Sequence, residues 1–97
     1  MKKIRIYIAG KVSGENYDDV LKKFAAAEDK LEKEGLLVVN PTKLCKKTWD
    51  YGKCLRTCIT ELVKCDAIYM LQNWYESKGA VLERNIARTI GMQITEE

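Results

Sequence analysis

One stretch sets the architecture of this chain: Asp66-Ala-Ile-Tyr-Met-Leu-Gln-Asn-Trp-Tyr-Glu-Ser-Lys-Gly-Ala-Val-Leu-Glu83. Residues 67–71 are an apolar run of strand length, and the polar and aromatic residues 72–76 predict a loop. Ser77 suits a helix N-cap, because its hydroxyl can accept a hydrogen bond from a free backbone amide. A strand, a loop and a helix N-terminus in succession favour an anion, since free amides and a positive helix dipole meet there.

The rest of the chain alternates strands and helices. The sequence predicts strands at residues 3–9, 36–39 and 92–95, and helices at 17–34, 51–64 and 78–90. Periodicity assigns the inward faces of the helices to Tyr17, Val20, Leu21, Phe24, Ala27 and Leu31, to Leu55, Ile59, Leu62 and Val63, and to Leu82, Ile86, Ala87 and Ile90. The order β-α-β-α-β-α-β predicts one α/β domain, residues 1–97, with a parallel sheet covered on both faces.

Composition narrows the class of protein. The 97 residues are 46% hydrophobic and 32% charged, which allows a hydrophobic core, although a small one. Chains of this size often gain stability by forming oligomers. The net charge of +3 is too small to indicate a nucleic-acid partner. No apolar run is long enough to span a membrane, and no signal-peptide cleavage pattern is present, so we expect a cytoplasmic protein.

The four cysteines are Cys45, Cys54, Cys58 and Cys65. In the cytosol we expect them to be reduced and mostly buried. Cys54, Cys58 and Cys65 have a spacing that could bring sulfurs together for zinc, but the chain has no CxxC pair and no histidine. We therefore expect neither a metal nor another cofactor.

Several polar and glycine residues follow the strands at the carboxyl edge of the predicted sheet, where ligands bind in such folds. The two-glycine turn Gly10–Gly14 and residues Asn40 and Gly79 belong to this set. The glycines are consistent with tight turns or with a phosphate cradle, and the pattern is neither a dinucleotide fingerprint nor a P-loop.

Three further side chains near this edge each allow two interpretations. Glu83 is either a solvated helix carboxylate or a nucleophile that attacks a sugar at its anomeric carbon. Tyr7 is a core aromatic residue or a hydrogen-bond donor that orients this carboxylate. Trp74 caps the edge of the core or stacks on a base. Asp66, just before its strand, is expected to close a turn.

Two motifs lie at the carboxyl edge of the predicted sheet: Tyr7-x-x-Gly10-x-Val12-x-Gly14 after the first strand and Trp74-x-x-Ser77-Lys-Gly79-Ala-x-Leu-Glu83 at the later strand–helix junction. Together they resemble the motifs of the nucleoside 2-deoxyribosyltransferase superfamily. With Cys65-Asp-Ala67, they resemble its small bacterial and phage branch, and they are also similar to the 2′-deoxynucleoside 5′-phosphate N-hydrolases. The resemblance covers nearly the whole chain.

The resemblance implies a flavodoxin-like (Rossmann-like) three-layer sandwich, a homo-oligomer, and cleavage or transfer at an N-glycosidic bond. It implies Glu83 as nucleophile, Tyr7 as its support, and a cradle of Gly10, Val12, Gly14, Ser77 and Gly79, with Asn40 and Trp74 as further binding residues. Where the transferases have an aspartate that holds a free 5′-hydroxyl, this chain has Ser77, as the N-hydrolases do. Because a hydroxyl can donate to a phosphate that a carboxylate would repel, Ser77 favours a 5′-monophosphate.

The chain departs from the family pattern at Cys58, where the enzymes carry an aspartate that handles protons at the leaving base. A thiol is a poor replacement in that role. Asp50 or Glu61 would then supply the proton, or the protein binds nucleotides without turning them over. A protein–protein module without a small ligand is a third hypothesis.

Overall fold

The computed structural model describes residues 3–97. Its elements are β1 (Arg5–Ala9), α1 (Tyr17–Lys33), β2 (Leu37–Val39), α2 (Tyr51–Leu62), β3 (Ala67–Met70), α3 (Lys78–Thr89) and β4 (Gln93–Glu96). Short 3₁₀ turns at Pro41–Lys43 and Trp74–Glu76 lie within segments for which the sequence predicts loops. The alternation of strands and helices is confirmed. The elements are one or two residues shorter than the predicted ones, except β4, which has the predicted length and is shifted by one residue.

The four strands form one parallel sheet in the order β2-β1-β3-β4. Tyr7 pairs with Val39 on one side and with Ile68 on the other, so β1 is central. From β1 the chain winds first to β2 and then back past β1 to β3. The carboxyl ends of β1 and β3 therefore form the switch point at which ligands bind in open α/β sheets.

Helices cover both faces of the sheet, which confirms the flavodoxin-like three-layer fold. Alternate residues of β1 point to opposite faces. Ile6 and Ile8 pack with α1 residues such as Phe24. Tyr7 and Ala9 pack on the opposite face, with residues of α2 and α3.

The predicted inward faces of α2 and α3 are partly wrong. On α3 the buried residues are Ala80, Glu83 and Ala87, whereas Leu82 and Ile90 are exposed. On α2 the buried residues are Cys58 and Leu62, and Val63 is exposed. The periodicity of apolar residues placed both faces about one position away, because a glutamate and a cysteine occupy inward positions.

On α1 the prediction holds for Val20, Phe24, Ala27 and Leu31, all of which are buried. Tyr17 is only half-buried, and Leu21 lies at the exposed margin of the helix. Within residues 3–97, the helices are too short or too polar to cross a membrane.

Candidate active site

A buried hydrogen bond joins the first strand to the last helix. Tyr7 Oη donates to Glu83 Oε2 across 2.6 Å. Tyr7 is 0% exposed and Glu83 is 6% exposed. The two residues are 76 positions apart in sequence. The pair lies on the α2/α3 face of the sheet, because Tyr7 occupies the central strand and Glu83 follows the Ser77 N-cap on α3.

The environment of the pair favours the protonated form of both groups. Burial raises the pKa of the Glu83 carboxyl to about 7, and the Tyr7 hydrogen bond opposes part of that rise. Burial, and then the negative charge of Glu83, raise the pKa of Tyr7 well above its usual range, so Tyr7 stays a donor. A carboxyl that titrates near neutral pH beside a permanent donor is suited to acid–base or nucleophilic work.

Glu83 has one oxygen engaged and one available. Oε2 accepts the bond from Tyr7, and among residues 3–97 no hydrogen bond reaches Oε1. The position of Glu83 inside α3, rather than on its solvent side, shows that it is not a solvated helix carboxylate.

Cys58 is the third polar side chain at this place. Its buried thiol lies in the same core cluster as Tyr7. Burial raises the pKa of the Cys58 thiol, and the nearby Tyr7 hydroxyl partly offsets that rise. The thiol therefore stands beside the tyrosine–glutamate pair, at the position where the resemblance implies a proton-handling aspartate.

The cysteines correct one prediction and confirm another. Cys45 and Cys54 form a disulfide, so the expectation of four reduced thiols is wrong for these two. Cys58 and Cys65 are buried free thiols, as predicted. The spacing of Cys54, Cys58 and Cys65 suggested that their sulfurs could come together. In the structure the three sulfurs within 4.8 Å of one another are instead those of Cys45, Cys54 and Cys58. After reduction, this cluster would offer three soft ligands to a thiophilic metal.

The two loops above the pair are joined by charge. Lys11 Nζ lies 3.1 Å from Glu76 Oε1, which connects the loop after β1 to the loop after β3. Lys23 of α1 donates to the backbone carbonyl of Lys11 across 3.3 Å. Lys23 also pairs with Glu15 across 3.2 Å, so both ammonium groups beside the glycine turn already have a carboxylate partner. Sequence reasoning missed both lysines; the signal was Lys11 inside the turn itself.

The glycines at this edge have conformational or packing reasons. Gly14 has φ +82°, which other residues rarely adopt, and Val12 beside it is exposed. A Cβ at Gly10 would lie 2.7 Å from Leu71 Cδ1, and a Cβ at Gly79 would lie 2.8 Å from Tyr51 Oη. The tight-turn interpretation therefore accounts for Gly14, and close packing accounts for Gly10 and Gly79.

Ser77 is the N-cap of α3, as predicted. Its Oγ accepts a hydrogen bond from the Ala80 amide across 3.2 Å. A serine hydroxyl that accepts this bond still has a proton to donate.

Asn40 and Trp74 are largely occupied by protein partners. The buried Asn40 donates to Glu28 across 2.9 Å and accepts from the Thr42 amide and hydroxyl. Trp74 Nε1 donates to Glu96 across 3.3 Å, and the Arg84 guanidinium lies 4.8 Å from its ring centre. Asn40 thus caps the turn after β2. Trp74 is partly buried against the edge of the core, which is the first of the two interpretations given for it.

The alternative proton donors are engaged elsewhere. Asp50 caps α2 by accepting from the Lys53 amide across 2.8 Å. Glu61 lies one turn beyond Cys58, towards the end of α2, and pairs with Lys64 across 3.0 Å. Asp66 accepts from the Arg5 amide across 3.0 Å, a long-range bond that ties the segment before β3 to the start of β1 and does not close a local turn.

Fold and site together define an α/β protein of flavodoxin type, with a buried tyrosine–glutamate pair below the switch point of its sheet. The chain belongs to the family described as a domain of unknown function, DUF4406, whose model matches residues 4–96. A search of the curated proteins found no match to it. Because the family description names no activity, the function has to be argued from the site.

Proposed function

We propose that this chain binds a 2′-deoxynucleoside 5′-monophosphate and cleaves or transfers its N-glycosidic bond, with Glu83 as the nucleophile. The 2.6 Å hydrogen bond between Tyr7 and Glu83 is the observation that carries the proposal. It fixes one carboxylate oxygen and leaves the other for the substrate. The motif resemblance to the nucleoside 2-deoxyribosyltransferase superfamily supports the same assignment.

In the proposed reaction, a Glu83 oxygen attacks C1′ of the deoxyribose while the bond from C1′ to the base nitrogen breaks. The base leaves with the electron pair of that bond and takes up a proton. Water or a second base then attacks C1′ and releases Glu83. Tyr7 holds the carboxylate in position throughout and does not ionise.

Features of the switch-point edge support a phosphorylated ligand. The N-terminus of α3 presents free amides and the Ser77 hydroxyl. Lys11 and Lys23 lie around the Gly10–Gly14 turn. A phosphate would compete with the Glu76 and Glu15 carboxylates for these ammonium groups, whereas a neutral nucleoside would gain little from them.

A second candidate function is nucleotide binding without turnover. Two observations favour it: Glu83 is only 6% exposed, and Cys58 stands where an aspartate would handle protons. In this case the protein would sense or sequester a nucleotide on the same scaffold.

The test is base release from each 2′-deoxynucleoside and each 5′-monophosphate, with and without a second base, followed by chromatography. We expect release from monophosphates, loss of release in Glu83→Ala, and a shift of preference towards nucleosides in Ser77→Asp. Release that survives in Glu83→Ala would rule out the proposed nucleophile.

The two candidates are separated by the melting temperature. A nucleotide that raises it without any base release would support binding alone, because a ligand selective for the folded state stabilises that state. In that case Cys58→Asp is the informative variant, and gain of base release would locate the lost step at this position. If no nucleotide raises the melting temperature and none releases its base, both candidates fail and a protein–protein role remains.

The proposal includes a cytoplasmic homo-oligomer. Apolar side chains on the outer surface of α2 and α3 support self-association, since Val63, Leu82 and Ile90 are all exposed.

A further inference from the structure

A third sulfur lies against the disulfide. The Cys58 Sγ is 3.6 Å from the Cys45 Sγ, which is already bonded to Cys54. Cys54 and Cys58 are one turn apart on α2, whereas Cys45 comes from the loop that precedes this helix. Three sulfurs on two elements are thus held within 4.8 Å of one another. The remaining cysteine, Cys65, lies outside this cluster, beyond the end of α2.

We propose that Cys45, Cys54 and Cys58 form a redox-active thiol–disulfide centre in which Cys58 exchanges with the Cys45–Cys54 disulfide. The Cys58 thiolate attacks Cys45 Sγ, the Cys45–Cys54 bond breaks, and its electron pair leaves on the Cys54 sulfur. The proton lost by Cys58 is balanced by the proton that Cys54 takes up. Both forms contain one disulfide and one thiol, so exchange itself needs no oxidant or reductant.

Burial gives the exchange a direction in space. Cys58 is buried, whereas Cys54 is only half-buried. Exchange therefore moves the free thiol from the core to a position that solvent reaches. An accessible thiol can then react with a small thiol–disulfide couple such as glutathione, which a buried one does slowly. In a reducing compartment, a disulfide of this kind is more often redox-active than structural.

The centre also contacts the candidate active site. Cys58 and Tyr7 belong to the same core cluster, and Tyr7 influences the pKa of the Cys58 thiol. Pairing of Cys58 with Cys45 would remove the thiol from Tyr7 and alter the support of Glu83. This consequence rests on the proposed function, whereas the exchange chemistry does not, and the two are tested by different readouts.

The positions of lysine and arginine allow the disulfide pairing to be determined by peptide mapping. Trypsin cleavage after lysine and arginine places the three cysteines on separate peptides: residues 44–46 carry Cys45, residues 54–56 carry Cys54, and residues 57–64 carry Cys58. Cys65 falls on a fourth peptide, residues 65–78. Each disulfide therefore gives a distinct pair of joined peptides in a non-reducing mass spectrum.

The experiment incubates the oxidised full chain at pH 8.5, blocks free thiols with N-ethylmaleimide in acid, and digests it. We expect the 44–46 peptide joined to 54–56 and, increasing with time, to 57–64. In Cys54→Ser, oxidised glutathione should drive the Cys45–Cys58 pair nearly to completion. Cys58→Ser should keep the Cys45–Cys54 pair alone, and circular dichroism checks that both variants are folded.

Absence of the 44–46 to 57–64 pair from both wild type and Cys54→Ser would overturn the proposal. Cys65→Ser is the matched control, because it removes a buried thiol outside the cluster. Pairing of Cys65 with the other cysteines at a comparable rate would mean scrambling through unfolding and would also overturn it. None of these outcomes depends on base release, so failure here leaves the proposed function untouched.

Discussion

At the scale of single residues, the burial of Glu83 makes stability depend on pH. Its pKa rises from 4.5 to about 7 on folding, so the folded state binds this proton more tightly than the unfolded state. The resulting stabilisation is fully present below the unfolded value and is lost as pH rises through the folded value. A shift of this size corresponds to a free-energy change on the order of 3 kcal/mol.

We therefore expect the free energy of unfolding to fall between about pH 4.5 and 7, and this fall to be much smaller in Glu83→Gln. Urea denaturation at a series of pH values measures the slope. Glu32→Gln, which changes an exposed glutamate of α1, should leave the slope as in wild type. Equal slopes in wild type and Glu83→Gln would contradict the assignment.

The hydroxyl of Tyr7 should tune this titration. Burial raises the pKa of Glu83, and the Tyr7 hydrogen bond lowers it in part. Tyr7→Phe removes only the hydroxyl, so we expect the pKa of Glu83 to rise further. Base release should then start at a higher pH than in wild type, because the nucleophile has to be ionised. Carbon-13 NMR of the glutamate carboxyls measures the pKa without relying on activity.

Tyr69→Phe is the matched control for that variant. Tyr69 is also buried and hydrogen-bonded, but it lies on the α1 face of the sheet, with Lys30 as its partner at 3.2 Å. We expect no change in the Glu83 titration. A shift of similar size in both variants would indicate a general loss of packing rather than a lost hydrogen bond.

At the scale of elements, two glycines with similar crowding should respond differently to alanine. At Gly10 the added Cβ meets the side chain of Leu71, which is fully buried and cannot move away. At Gly79 the added Cβ meets the hydroxyl of Tyr51, whose exposed side chain can move away. We expect Gly10→Ala to cost about 1–3 kcal/mol, whereas Gly79→Ala should be nearly neutral, because alanine also favours the helix.

Chemical denaturation of the two variants checks this difference. If Gly79→Ala destabilised the protein as much as Gly10→Ala, the expectation that the exposed Tyr51 side chain can move away from the added Cβ would be wrong. If Gly79→Ala also left nucleotide binding unchanged, close approach of a ligand to that backbone position would be excluded.

The order of elements could be predicted from the sequence, but the orientation of two helices could not. Alternating apolar runs and capping residues located every strand and helix. The apolar periodicity gave the wrong inward face for α3, because Leu82 is exposed and Glu83 is buried. A carboxyl is buried at low cost only when it has a hydrogen-bond partner, which for Glu83 is Tyr7. That partner lies on another strand, so no local pattern reveals it.

The disulfide shows the same limit. Cys45 and Cys54 are brought together by the turn that connects β2 to α2, a geometry that their spacing of nine does not encode. The motif pair, in contrast, identified Tyr7 and Glu83 together. Resemblance thus carried the long-range information about the candidate site that composition and periodicity lacked.

At the scale of the whole molecule, the two helical layers differ in what they expose. The α2/α3 layer presents Leu82 at 41% exposure and Ile90 at 52%, together with Val63. Leu82 points about 100° around α3 from Glu83, whereas Val63 and Ile90 lie at the C-terminal ends of α2 and α3. Self-association through these three residues would leave the buried Glu83 in place, because all of them are already exposed in the single chain. We expect the wild-type chain to be a homo-oligomer that uses this layer.

Leu82→Glu should then shift the molar mass measured by light scattering to that of a monomer, because a carboxylate in an apolar interface is unpaired and costly. Leu21→Glu is the matched control: it changes a leucine of 36% exposure on α1, in the opposite layer, and should leave the molar mass unchanged. A monomeric wild type would contradict the prediction directly. A molar mass that falls in Leu21→Glu but not in Leu82→Glu would place the interface on α1 instead. Such an interface would lie on the outer surface of α1, which covers the sheet face of Tyr69, and thus on the opposite side of the sheet from Tyr7 and the sulfur cluster.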